Sequence, residues 1–265
     1  MTELVRLPLA ELRARCCAAE SAAERERLLD ALRRDPRRGA QALADALARR
    51  ADAELEESRR LGALFALRAR LLAAGARRVA GVDEVGMGPL AGPVVAAAVV
   101  LPECVDLPGL DDSKRLSAAV RERLAARIRE QALGVGLGIV EPADVDRINV
   151  YRAGLEAMRR AVLALAIAPD HLLVDARTIP GLACAQTPIV GGDALDGSIA
   201  AASIVAKVAR DAIMRRLDER HPGWDLARHM GYPTPQHLAA LRRLGPSPVH
   251  RRSFAPVARL LVGPR

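Results

Sequence analysis

Along residues 3–74, apolar side chains recur every three or four positions (Leu28, Leu29 and Leu32; Leu43 and Leu47; Leu61, Leu64, Leu67 and Leu71), with arginine and glutamate between them. That period predicts helices with one buried stripe each. Asp35-Pro36 interrupts it and separates two helices, and Gly75 closes the last one as a C-cap. No residue set here suggests chemistry. The stretch reads as a small all-α N-terminal extension over 1–75, followed by a larger domain over 76–265.

Beyond Gly75 the period changes. Arg78 to Asp83 is a short apolar run ending in an acid, Val94 to Leu101 is a β-branched run suited to a buried strand, and Gly134 to Val140 is a weaker third strand. Helical stretches follow at 117–132 and 151–166. His171 to Asp175 is a second apolar run ending in an acid. Ile189-Val190 then leads into Gly191-Gly192-Asp193, and an alanine-rich helix runs from about 196 to 219. The last part of the chain, rich in Pro, His and Arg, reads as short helices and loops. Strands followed by helices predict an α/β layer fold.

Composition refines this picture. Hydrophobic residues make up 51% of the chain but aromatics only 2%, so the core must be built from Ala, Leu and Val. Net charge is +3 over residues 1–75, −3 over 76–205 and +8 over 206–265. An acidic middle beside a basic tail suits a polyanion together with carboxylates that hold cations, and equally suits simple solubility charge. Cys16, Cys17, Cys104 and Cys184 have no CxxC spacing, which argues against a disulfide framework or a zinc site. The first residues lack an apolar signal region, and the longest apolar stretch, Pro89 to Leu101, is broken by Gly and Pro. The expectation is a soluble cytoplasmic protein.

Asp83 and Asp175 each terminate an apolar run, and ligands of α/β sheets gather at the carboxyl ends of strands. Asp193 reaches the same region from a Gly-Gly turn, and Glu84 adjoins Asp83. Neighbours on a regular strand face opposite sides, so a turn is expected at Asp83-Glu84 if both point inward. Any single one of these acids is more often a cap or turn residue. Three of them ending hydrophobic segments suggest a carboxylate cluster, which needs cations between its members and selects Mg²⁺ or Mn²⁺.

Seven segments, in order, carry a resemblance. They are Val82-Asp83-Glu84-Val85-Gly86-Met87-Gly88-Pro89-Leu90-Ala91-Gly92-Pro93, Asp112-Ser113-Lys114-Arg115-Leu116-Ser117, Val174-Asp175, Gly192-Asp193, Ile199 to Asp211, His229-Met230-Gly231-Tyr232-Pro233-Thr234, and His250-Arg251-Arg252-Ser253-Phe254. Together they resemble the type 2 ribonuclease H (ribonuclease HII) family over residues 77–260, and residues 1–75 are similar to the extension some bacterial members carry. The resemblance implies a ribonuclease H-like fold: a mixed central β-sheet flanked by helices, a C-terminal helical region and the N-terminal extension. It implies that Asp83, Glu84, Asp175 and Asp193 are the catalytic and metal-binding acids. Two ions, Mn²⁺ or Mg²⁺, would support hydrolysis of the RNA strand of RNA–DNA hybrids and cutting 5′ of ribonucleotides embedded in duplex DNA.

Substrate contacts implied by the same resemblance fall on Gly86, Met87, Gly88, Ser113, Lys114 and Tyr232; Ser203 and Lys207 are candidate phosphate contacts, as are Arg251 and Arg252 in the basic tail. Ser203, Lys207 and Asp211 are spaced to share one helix face. The partner is then nucleic acid, not a membrane, and the chain a monomer. Two departures stand out. Met87 occupies the place of a basic residue in the family's Gly-Arg-Gly triplet, and Ala176-Arg177 follows Asp175 where Gly or Gly-Asn is usual. They keep open an alternative, a hybrid-binding protein with weakened catalysis. A type 1 ribonuclease H or a junction resolvase is disfavoured by the Asp-Ser-Lys and Gly-Tyr-Pro-Thr segments.

Overall fold

The structure, a computed structural model, describes residues 7–18 and 21–262. The chain divides into two compact units, Met1–Arg60 and Leu61–Arg265. The first contains α1 (Leu9–Ala18), α2 (Ala22–Arg34) and most of α3 (Arg38–Leu64). Its small core is Leu12, Leu32, Ala40 and Ala44. Ser21 caps α2 by accepting from the Glu24 N–H (3.1 Å), and α2 ends where Asp35-Pro36 was expected to break the helix.

The second unit begins before Gly75, the boundary expected from periodicity. It opens on the end of α3 and on α4 (Ala66–Ala73), whose Leu67, Leu71 and Leu72 pack with Val79, Leu173 and Ile199. Arg68 of α4 is buried and donates to the Leu101 and Pro102 carbonyls. Then come β1 (Val79–Val85), β2 (Val94–Val100), α5 (Ala118–Gln131), β3 (Gly134–Val140), α6 (Pro142–Ile148), α7 (Val150–Leu163), β4 (His171–Asp175) and β5 (Ala185–Ile189). The remainder is helical: α8 (Gly192–Leu195), α9 (Gly197–Arg220), α10 (Leu226–His229), α11 (Pro235–Leu244) and α12 (Ala255–Val262).

The sheet is mixed, in the order β3-β2-β1-β4-β5, with β1 antiparallel to β2 and parallel to β4. β2 is buried on both faces. Val94, Ala96, Ala98 and Val100 pack with Ala153, Ala157, Met158 and Ala161 of α7, while Ala97 and Val99 pack with Ala201, Ile204 and Val205 of α9. Small residues let these helices lie very close to the sheet. A Cβ at Gly81 would sit 2.0 Å from the Ser198 carbonyl oxygen of α9, and one at Gly138 would sit 1.9 Å from the Ala157 oxygen of α7. This close approach lets small side chains fill a core with almost no aromatics. Among the described residues, no helix is long and apolar enough to cross a membrane.

β5, Ala185-Gln186-Thr187-Pro188-Ile189, was not expected as a strand. It pairs only with β4, at the sheet edge, where a proline is tolerated.

Candidate active site

The register of β1 and β4 places Val82 beside Val174, so Asp83 and Asp175, the next residue on each parallel strand, emerge side by side. β1 continues through Val85, and no turn separates Asp83 from Glu84. The expected turn is unnecessary because the cluster sits across the rim of the sheet. One carboxylate oxygen from each of Asp83, Glu84 and Asp175 lies within 4.8 Å of the other two.

Each acid has its own support. Asp83 is buried; its Oδ1 accepts from the Glu84 N–H (2.8 Å), and burial and then the Glu84 charge push its carboxyl well above the usual range. Glu84 Oε1 accepts from the Arg177 guanidinium (3.1 Å), while Oε2 is buried with no hydrogen-bond partner. Burial raises Glu84, and the Arg177 charge acts against that rise. Asp175 Oδ1 accepts from the Gly192 N–H (2.7 Å), and burial raises its carboxyl too. Asp193, on α8, stands beside this trio rather than within it: Lys114 Nζ donates to its Oδ2 (2.5 Å).

Three crowded carboxylates, an orphaned buried oxygen and no sulfur or imidazole form a donor set for a hard divalent cation. The residues present fit such an ion.

The other expected contacts divide. Tyr232 is 39% exposed, and its ring edge lies 3.8 Å from where a Cβ at Gly88 would stand, so the glycine triplet and the tyrosine share one surface. Lys207 donates to Asp211 (2.7 Å) on the expected face of α9. Arg252 is exposed. Ser113 and Ser203, expected at the substrate, are instead buried and hydrogen-bonded to each other (2.9 Å), with Ser203 supporting the Asp83 carboxyl. Arg251, also expected at a phosphate, is fully buried, and its guanidinium is spent on main-chain carbonyls of Gly86, Met87 and Gly92.

Of the two departures, Ala176 adopts φ +54, a conformation glycine takes more readily, in a tight turn where the Arg177 N–H reaches back to Asp175 O (2.6 Å). That turn sets Arg177 on Glu84 and over the Tyr151 ring (4.8 Å). A Cβ at Gly154 would touch both the Met87 sulfur (3.0 Å) and Arg177 Nη1 (3.3 Å), so the arginine reaches the neighbourhood of the missing basic side chain.

Sequence reasoning missed a buried histidine chain behind Tyr232. The Ser247 N–H donates to His250 Nδ1 (3.0 Å), so His250 Nε2–H donates to His237 Nε2 (3.0 Å), and His237 Nδ1–H donates to the Tyr232 carbonyl (2.9 Å). Burial, then His237, holds His250 down to about 4 from its ordinary 6.5. Between those values the unfolded chain binds a proton that the folded histidine refuses. Stability therefore falls as pH drops from 6.5 toward 4, by on the order of 3 kcal/mol. Trp224, whose ring centroid is 6.0 Å from that of His250, reports this corner by its emission. The difference in Trp224 unfolding midpoint between the parent protein and His250→Asn, both of which keep the raised carboxyls of Asp83, Glu84, Asp175 and Asp196, is expected to change across this window as the parent loses stability; a difference that stays level would contradict the assignment.

Comparison with known proteins identifies the family. A sequence profile of the ribonuclease HII family covers residues 80–257. The chain is 54% identical over 230 residues to a ribonuclease HII of Geobacillus thermodenitrificans (strain NG80-2), spanning 87% of this chain and 88% of that one. It is 54% identical over 235 residues to a ribonuclease HII of Myxococcus xanthus (strain DK1622), spanning 88% and 80%. The crystal structure of ribonuclease H2 from Pyrococcus horikoshii OT3 superposes with a TM-score of 0.59 at 26% identity, covering 69% of this chain and 97% of that one. The family profile over residues 80–257, and identities of 54% to relatives covered over most of both chains, place this chain in the ribonuclease HII family.

Proposed function

We propose that this ribonuclease H hydrolyses the RNA strand of RNA–DNA hybrids and also cuts 5′ of single ribonucleotides in duplex DNA, using two divalent ions, Mn²⁺ or Mg²⁺. The observation that carries the reading is the group formed by Asp83, Glu84 and Asp175, with Asp193 at its side. Bound there, the ions supply Lewis-acid chemistry, activating water and stabilising the departing 3′ oxygen so that products carry 5′-phosphate and 3′-hydroxyl ends. The chain's own residues hold and orient. Asp83, Glu84 and Asp175 supply oxygens fixed by the Glu84 N–H, Arg177 and the Gly192 N–H respectively. Lys114 holds Asp193 in place and offsets its charge. Gly88 and Tyr232 offer a surface for the sugar–phosphate chain beside the acids. A cytoplasmic monomer, with residues 76–265 as its catalytic domain, belongs to the same proposal.

The test uses three duplexes with Mg²⁺ or Mn²⁺: one carrying a single ribonucleotide, a continuous hybrid and plain DNA. Cutting at the single ribonucleotide and in the hybrid, but not in DNA, is the expected result. Binding without cutting would establish the hybrid-binding alternative instead.

Arg177→Ala supplies a pH test of the Glu84 assignment. Arg177 opposes the rise of the Glu84 carboxyl, so its loss leaves that acid protonated to a higher pH. The acid limb of the rate profile moves upward, so the several-fold loss falls on that limb and little is lost on the plateau. An unmoved acid limb would show that Glu84 ionisation does not govern the rate.

A further inference from the structure

Arg210 of α9 and Arg251, shortly before α12, are both 0% exposed, and among the described residues neither forms a salt bridge. The nearest acids are otherwise engaged: Asp211 accepts from Lys207, and Asp146 from the N–H groups of Arg252 and Ser253. Burying two guanidinium groups near each other without carboxylates is costly, and a fold has no need of it merely to fill space. Arg251 is pulled down to about 9, by burial and then by Arg210, which still leaves it charged at neutral pH.

Their donors converge on one loop. Arg210 donates to the carbonyls of Pro93 (3.0 Å), Ala91 (3.2 Å) and Met230 (3.0 Å). Arg251 donates to those of Gly86 (2.6 Å), Met87 (3.1 Å) and Gly92 (2.8 Å). In a trans peptide the C=O and the following N–H point in opposite directions. Drawing the Gly86 and Met87 carbonyls inward therefore turns the N–H groups of Met87 and Gly88 outward. Neither N–H has a hydrogen-bond partner among the described residues. Gly86, at φ +90, permits this path, because a Cβ there would lie 2.3 Å from Arg210 Nε. The same loop is tied to the tyrosine segment by the Leu90 N–H to the Gly231 carbonyl (2.8 Å).

We propose that Arg210 and Arg251 are positioning residues that form a buried positive pole beneath the Gly86–Pro93 loop, aiming its free N–H groups outward and attracting a phosphodiester of the substrate strand. The loop itself carries no basic side chain, so the field comes from below it. This inference rests on the nucleic-acid reading given above.

The experiment measures binding of a fluorescent RNA–DNA hybrid to the full chain in metal-free buffer, as a function of salt, for the parent protein, Arg251→Gln and Arg251→Lys. Gln keeps donors but removes the charge; Lys keeps the charge but loses the fork. The expected result is an affinity about tenfold weaker for Arg251→Gln, with a salt slope shallower by about one, while Arg251→Lys keeps the parent slope. With metal present, KM rises in Arg251→Gln more than kcat falls. Parent protein that binds while both variants keep its slope, or lose affinity equally, overturns this inference alone. Parent protein that fails to bind the hybrid overturns the nucleic-acid reading and this inference with it. If Arg251→Gln does not fold, Arg210→Gln and Arg210→Lys make the same comparison.

Discussion

Asp83→Asn is expected to lower turnover by about a thousandfold or more while raising the unfolding midpoint of the metal-free protein. The two effects have one origin. Asp83 is buried against Glu84 and close to Asp175 and Asp193, and its folded carboxyl holds its proton far more tightly than an ordinary aspartate. A carboxyl raised on folding stabilises the protein at low pH, and that contribution is lost as pH rises through the folded value. Ionising Asp83 in the metal-free protein therefore costs stability, and a bound cation would relieve that cost. Asparagine keeps the shape and accepts the same Glu84 N–H, but it removes both the charge and a ligand. Turnover is measured with saturating Mn²⁺, and the midpoint in chelator. Turnover near that of the parent protein, or a lower midpoint, would refute the role given to Asp83.

Gly81→Val is expected to destabilise the fold severely, by about 3 kcal/mol or more. The first carbon added would already stand 2.0 Å from the Ser198 carbonyl oxygen and 2.6 Å from the Ile199 nitrogen, both backbone atoms at the start of α9. That end of α9 is anchored by Asp196, whose Oδ1 accepts from the Ser198 and Ile199 N–H groups (2.8 and 3.2 Å). It cannot move aside by a rotamer change. The shift would propagate along α9 to Ser203, which supports Asp83 two residues downstream of Gly81. Urea unfolding checks this, and an unchanged midpoint would mean that α9 rides on the sheet less tightly than the distances require.

How much of this was legible in the sequence depended on what each residue leans on. β1 to β4 were readable because their apolar runs face packed helices, and the acids at the ends of β1 and β4 were readable because the runs stop there. β5 was not readable: at a sheet edge its polar residues and Pro188 cost little, so no apolar run marks it. The helical period over 61–74 was correct, but periodicity does not say which core a stripe will join, and Leu67 and Leu71 join the sheet. Arg251 looked like a phosphate contact because it stands in a basic tail; its carbonyl partners, far away in sequence, hold it inside. Ser113 and Ser203 likewise lie far apart in the chain and find each other only in the fold. The four-residue spacing of Ser203, Lys207 and Asp211 carried a usable signal, the Lys207–Asp211 pair, whereas no spacing marked Arg210 as buried.

We propose that folding brings Asp83, Glu84 and Asp175 together, with Asp193 at their side, as a trap for divalent cations. The most direct measurement is a titration of metal-free protein with Mn²⁺, followed by the electron paramagnetic resonance signal of the free ion. Quenching of that signal by the parent protein, and its return when Asp83, Glu84 and Asp175 are replaced together by their amides, is the predicted result. Equal free Mn²⁺ with the parent protein and the triple variant, both folded, would contradict the account.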